Sequence, residues 1–111
     1  MLVELTINTL RRGTHLSKDL VEILNIVDTS NLPYSLTPFG TCIEGDWDQV
    51  MGLVKQCHAL AKSSSHHVMT SIQIEDEDRA ANKLEEKVAA IERLAGHKLS
   101  RLAHKVVGAE A

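Results

Sequence analysis

A chain of 111 residues has room for one hydrophobic core and one domain. Hydrophobic residues make up 43% and charged residues 24%, which fits a globular protein and excludes a disordered, charge-rich one. The net charge of −3 excludes the basic footprint of a nucleic-acid binder.

Val3, Leu5 and Ile7 alternate with Glu4, Thr6 and Asn8, the period of a strand with one buried face. The chain shows no apolar run of a signal peptide and no stretch of the ~20 apolar residues that cross a membrane. Cys42 and Cys57 form no C-x-x-C pair, so reduced thiols and a cytoplasmic setting are expected. Arg11-Arg12-Gly13-Thr14 breaks the first strand. Ser17 is placed to cap a helix, with Asp19 in its first turn and Leu20, Ile23, Leu24 and Val27 as its apolar stripe. Thr29-Ser30-Asn31 and Pro33 end it.

Residues 34–44 read as two short strands around a tight turn at Pro38–Gly40, where proline presets φ and glycine can adopt a positive φ. Asp46, with Gln49 three residues on, predicts a capping box. Val50, Leu53, Val54, Cys57 and Ala61 supply the buried stripe of that helix. After the polar loop 62–65, Val68, Thr70, Ile72 and Ile74 alternate with Met69, Ser71 and Gln73 as a fourth strand. The acidic run 75–78 precedes a last helix striped by Leu84, Val88, Ile91 and Ala95, which Leu99, Leu102 and Val106 can extend. Gly96 inside this pattern predicts a kink or break.

The order β-α-β-β-α-β-α predicts an α+β, ferredoxin-like βαββαβ fold. It comprises a four-stranded antiparallel sheet with helices on one face, plus an extra C-terminal helix. Residues 1–111 are expected to form one domain, with a core of about 1–95 and a C-terminal helical extension of about 96–111. Val3, Leu5, Ile7, Leu36, Val68, Thr70, Ile72 and Ile74 are expected to face the helices. The other face then shows Glu4, Thr6, Asn8, Ser35, Thr37, Met69, Ser71 and Gln73. Such small hydrogen-bonding side chains suit pairing with another sheet or lining a polar pocket, and the plain alternative is a solvated face. Between Cys42 and Ile43, both apolar, the pattern does not say which points inward.

The segment Tyr34-x-Leu36-Thr37-Pro38-x-Gly40-Thr41-x-x-Glu44-Gly45-x-Trp47-Asp48, continuing through Val50-Met51-x-Leu53-Val54-Lys55-x-Cys57-His58, closely resembles the small thiamine-binding, YkoF-like family. Val3–Ile7 and Val68-x-Thr70-Ser71-Ile72-x-Ile74 resemble that family's first and last strands, so the resemblance covers residues 1–95. It implies a stand-alone ferredoxin-like domain that assembles into dimers or tetramers through its sheets, and some members are implicated in binding thiamine or its pyrimidine. Two departures stand out. His67 occupies a position where the family usually has arginine, and the run 74–79 displaces a second arginine to Arg79.

With that resemblance, Thr37, Gly40 and Thr41 beside the turn are the first candidates for a ligand contact, through hydroxyls that suit a pyrimidine's ring nitrogens and amine. Thr6, Asn8 and Ser71 follow, and Glu44 is a carboxylate that suits a positive heterocycle. Their plain alternatives are turn and strand formation for the threonines, and a strand-end charge or helix-terminus partner for Glu44. Phe39 and Trp47 are candidates for covering a planar ligand or for packing.

No catalytic residue, cofactor or metal ligand is expected. The six histidines show no ligand spacing, since adjacent His66 and His67 point apart on a strand. Cys57 belongs to a buried stripe, and neither a phosphate loop nor a nucleophile elbow is present. The expected function is binding of a small molecule, thiamine or a related pyrimidine, by a homo-oligomer. The alternative is an oligomeric regulatory or interaction domain without such a ligand.

Overall fold

The three-dimensional description comes from a computed structural model and covers residues 1–10, 16–78 and 82–100. The elements are β1 (Leu2–Thr9), α1 (Leu16–Thr29), β2 (Tyr34–Thr37), β3 (Gly40–Glu44), α2 (Trp47–Ser64), β4 (Val68–Glu75) and α3 (Lys83–Ala95). The strands form one antiparallel sheet in the order β2-β3-β1-β4. This is the expected fold, including the added C-terminal helix.

Register assigns the faces. Val3 pairs with Ile43 and Ile74, Leu5 with Thr41 and Ile72, and Leu36 with Thr41. Directly opposed residues share a face, so Ile43 and Thr41 point toward the helices and Cys42 points away. Ile43 is fully buried, which resolves the ambiguity between positions 42 and 43. The core joins Val3, Leu5 and Ile43 of the sheet to Ile23 and Val27 of α1 and to Val50, Leu53, Val54, Cys57 and Ala61 of α2. It is aliphatic, because Phe39 is 86% and Trp47 57% exposed. Neither aromatic acts as a packing anchor.

The helix stripes fare differently. That of α2 is buried at all five expected positions, and its capping box is complete: Asp46 Oδ1 accepts from Gln49 N at 2.8 Å and Gln49 Oε1 from Asp46 N at 3.1 Å. In α1, Ile23 and Val27 are buried but Leu20 is 49% exposed, and Asp19 is buried in its stead. The helix already begins at Leu16, so Ser17 is its second residue rather than its cap. Helix α3 buries none of its stripe. Gly96, at φ +81, donates its N–H to Glu92 O at 2.9 Å and ends α3, so the sequence break is a stop. Leu99 lies beyond that stop, while Leu102 and Val106 fall outside the described residues. Ile72 and Ile74 face the helix side as expected yet stay more than a third exposed, because β4 is an edge strand.

The turn is a two-residue hairpin, Pro38-Phe39, closed by the pair Thr37↔Gly40. Gly40 does not have a positive φ. Its missing side chain matters for another reason: a Cβ there would lie 2.9 Å from Thr6 Oγ1 and 3.0 Å from Leu5 O on the neighbouring strand. Glycine is needed for the close approach of β1 and β3, not for the twist of the turn.

Candidate functional site

Beside this hairpin the core is incomplete. β1 ends on the helix face in Thr9, and β3 starts there with Thr41. These side chains are too short to fill the space beneath α1, which packs chiefly against α2. A cleft of about 230 Å³ remains, with Asp19, Ile23 and Val27 of α1 above it, Leu5, Thr9 and Thr41 below, and Leu36, Pro38 and Phe39 at the hairpin side. That volume suits one or two small rings and falls below the roughly 300–1,000 Å³ of pockets for drug-sized ligands.

Three polar side chains in this wall are more than nine-tenths buried: Thr9, Asp19 and Thr41. Thr9 Oγ1 is buried without a hydrogen-bond partner among the described residues. An unsatisfied buried hydroxyl costs roughly 1–3 kcal/mol, and native structures tolerate few such groups. The cleft therefore combines an aliphatic lining with an unused hydroxyl and a carboxylate, the makeup of a small-molecule site.

The structure distributes the expected site residues unevenly. Thr37, Gly40, Thr41, Thr6 and Asn8 all border the cleft. Of these, register sends only Thr41 to the helix face. The Thr37 hydroxyl is used within the turn, donating to Gly40 O at 2.9 Å and accepting from Gly40 N at 3.1 Å and Phe39 N at 3.2 Å. Thr6 Oγ1 donates to Phe39 O at 3.3 Å and steadies the same hairpin. Ser71 pairs with Thr6 on the open face, away from the cleft lining. Glu44 lies at the opposite end of β3.

Sequence reasoning missed Thr9 and Asp19 as a pair. Two signals were present: Thr9 continues the 3-5-7 alternation with a polar residue on the apolar face, and Asp19 precedes Ile23 and Val27 at i and i+4 spacing. Either one reads as a strand end or helix-start charge until the fold brings them to one cavity.

At the far end of the sheet, Glu44 and Glu75 both pair across Leu2 and so share the open face. The Glu44 carboxylate accepts from Lys83 N at 2.6 Å and Leu84 N at 3.3 Å. It caps α3, whose own N-cap Asn82 has φ 57 and makes no side-chain cap. Lys83 Nζ bridges Glu75 and Glu77, and Lys87 Nζ reaches Glu75 at 3.0 Å. Hydrogen bonding from Lys83, then Lys87, holds the Glu75 carboxyl below its ordinary 4.5, and Glu75 in turn raises the Lys83 amine above its ordinary 10.5. A lowered carboxylate contributes stability above its unfolded pKa and loses it as pH falls through the folded one. A raised amine contributes below its unfolded pKa and loses it as pH rises through the folded one. The docking of α3 is accordingly expected to be firmest between about pH 4.5 and 10.5. Amide exchange at Lys83 and Leu84 checks this: protection should fall below pH 4.5 before the core amides of β1 respond, and joint loss would contradict it.

The thiols do not suggest chemistry. Burial pushes Cys57 up to about 11, and burial with nearby Glu4 raises Cys42. A thiol so shifted is a poor nucleophile at neutral pH. Among the described residues no three His, Cys, Asp or Glu side chains gather as a metal-ligand set. No described helix is long and apolar enough to cross a membrane.

A family model described as "thiamine-binding protein" matches residues 3–92. A UPF0045 protein of Methanocaldococcus jannaschii is 26% identical over 91 residues, covering 82% of this chain and 91% of that one. Another, from Staphylococcus xylosus, is 31% identical over 86 residues, covering 73% and 80%. The crystal structure of the Methanocaldococcus protein superposes with a TM-score of 0.74 over 81% of this chain and 93% of that one. A Thermotoga maritima protein provisionally assigned to thiamine biosynthesis or salvage has the same fold, with a TM-score of 0.72, 17% identity, and coverage of 81% and 96%.

Proposed function

The chain belongs to the thiamine-binding protein family, and from that membership we propose that it binds thiamine or a related pyrimidine in the cleft beside the Pro38-Phe39 hairpin. The observation that carries this reading is the open cleft itself, largely apolar in lining, with the buried Thr9, Asp19 and Thr41 in its wall. Of the residues singled out in the sequence, Thr41 supplies a hydroxyl to the cavity. Gly40, Thr37 and Thr6 shape its rim by holding the hairpin against β1, and Asn8 stands at its mouth. Ser71 serves the sheet face, and Glu44 serves α3. The role is binding rather than catalysis, in keeping with a family named for a ligand and with thiols whose pKa values are raised. Two free thiols accord with a cytoplasmic setting.

Self-association belongs to the same reading. Among the described residues β4 leaves its outer edge without a strand partner over eight residues, and exposed edges are normally covered or blunted. The open face beside it carries Thr6, Asn8, Ser71 and Gln73 with the exposed Met69.

Thermal unfolding with thiamine, its phosphates and hydroxymethylpyrimidine tests the ligand. A ligand at 100 times its Kd should stabilise by about 2.7 kcal/mol, which raises Tm by several degrees in a domain of this size. Absence of a shift with all of them, while light scattering shows a dimer or tetramer, would favour an interaction domain with no such ligand.

A further inference from the structure

Resting on that reading, we propose that Thr9 and Asp19 are the specificity-determining pair of the cleft and that they read an amidine-type edge: a ring nitrogen beside an exocyclic amino group. The Thr9 hydroxyl is more than nine-tenths buried and has no partner among the described residues, so it is available to donate to a ring nitrogen. Asp19, equally buried in the same wall, is an acceptor suited to an amino group. A carboxylate offers about four acceptor positions, so the interaction Asp19 already makes leaves capacity for a ligand. One donor and one acceptor facing the same cavity complement the acceptor-donor order of a 4-aminopyrimidine. The same pair disfavours a 4-oxo ring, whose carbonyl would confront the carboxylate; the Thr9 hydroxyl can accept from that ring's N–H, so Asp19 carries the discrimination and Thr9 the affinity. Sites built to pair with a ligand's polar edge reject mispaired analogues strongly, because buried groups are then left unsatisfied.

Calorimetric titration of the full chain with thiamine and with its 4-oxo analogue tests the assignment. Wild type should prefer the amino compound by at least tenfold. Thr9→Val should keep or raise the ligand-free Tm, since it removes a hydroxyl without a partner among the described residues, yet weaken thiamine binding at least fivefold. Asp19→Asn, whose amide can also donate, should shrink the preference toward unity. If Asp19→Asn fails to fold, Thr9→Val carries the test with the same two ligands. Wild type binding thiamine while both variants bind within twofold of it and keep its preference would overturn this pairing and leave the proposed function standing. Wild type binding neither compound nor hydroxymethylpyrimidine would overturn both.

Discussion

Ile43→Ala will destabilise the domain by about 2–5 kcal/mol, the range for truncating a buried aliphatic side chain. Ile43 is among the largest fully buried side chains. It lies on the second central strand, opposite Val3 on β1 and Tyr34 on β2. Neighbouring strands hold the backbone on both sides, so the site collapses little and the cavity persists. A domain of this size has a total stability of roughly 5–15 kcal/mol, and the variant sits near the lower limit of folding. Urea unfolding should show a lower midpoint with an unchanged slope, and Ile43→Val should cost only about 0.5–1.5 kcal/mol. An alanine variant within 1 kcal/mol of wild type would mean that position 43 does not face the core.

Glu44→Ala is expected to release α3 while leaving the sheet intact. The carboxylate makes two hydrogen bonds to the first backbone N–H groups of α3, where the positive end of the helix dipole adds to the attraction. Hydrogen bonds to charged groups contribute about 1.5–3 kcal/mol in net terms. Asn82 supplies no substitute cap and no residue of α3 is buried, which leaves the pairing of Lys83 and Lys87 with Glu75 and Glu77 to hold the helix. Loss of the cap should therefore raise amide exchange across α3 by 10-fold or more at constant protection of β1. Thiamine affinity should stay within about twofold, because Glu44 is not part of the cleft. A variant that keeps α3 protected but loses ligand would reverse this assignment and return Glu44 to the binding site.

The fold was legible because its signals are local. Alternation at 3, 5 and 7 and at 68–74 specifies strands, and the stripe from Val50 to Ala61 with its Asp46 cap specifies α2. These patterns arise from backbone geometry repeated every few residues, and any packing that buries one face satisfies them. The candidate site was legible only in part. The hairpin was found, but Thr37 and Thr6 spend their hydroxyls on building it, a use that propensity does not distinguish from ligand binding. The parity of β3 depends on its pairing with β1, thirty-six positions away at Leu5↔Thr41, and not on its own sequence; that pairing is what sends Thr41 inward and Cys42 outward.

By itself the sequence determined the element order, the sheet's apolar face, the capped α2 stripe, a break at Gly96 and the position of the Pro38–Gly40 turn. Only the tertiary structure decided why Gly40 is glycine, what Glu44 holds, and that Thr9, Asp19 and Thr41 line one cavity. The difference is one of range. Periodicity records which face of an element avoids water, whereas a cleft exists where separate elements fail to meet, and that depends on the register and spacing of segments distant in the chain.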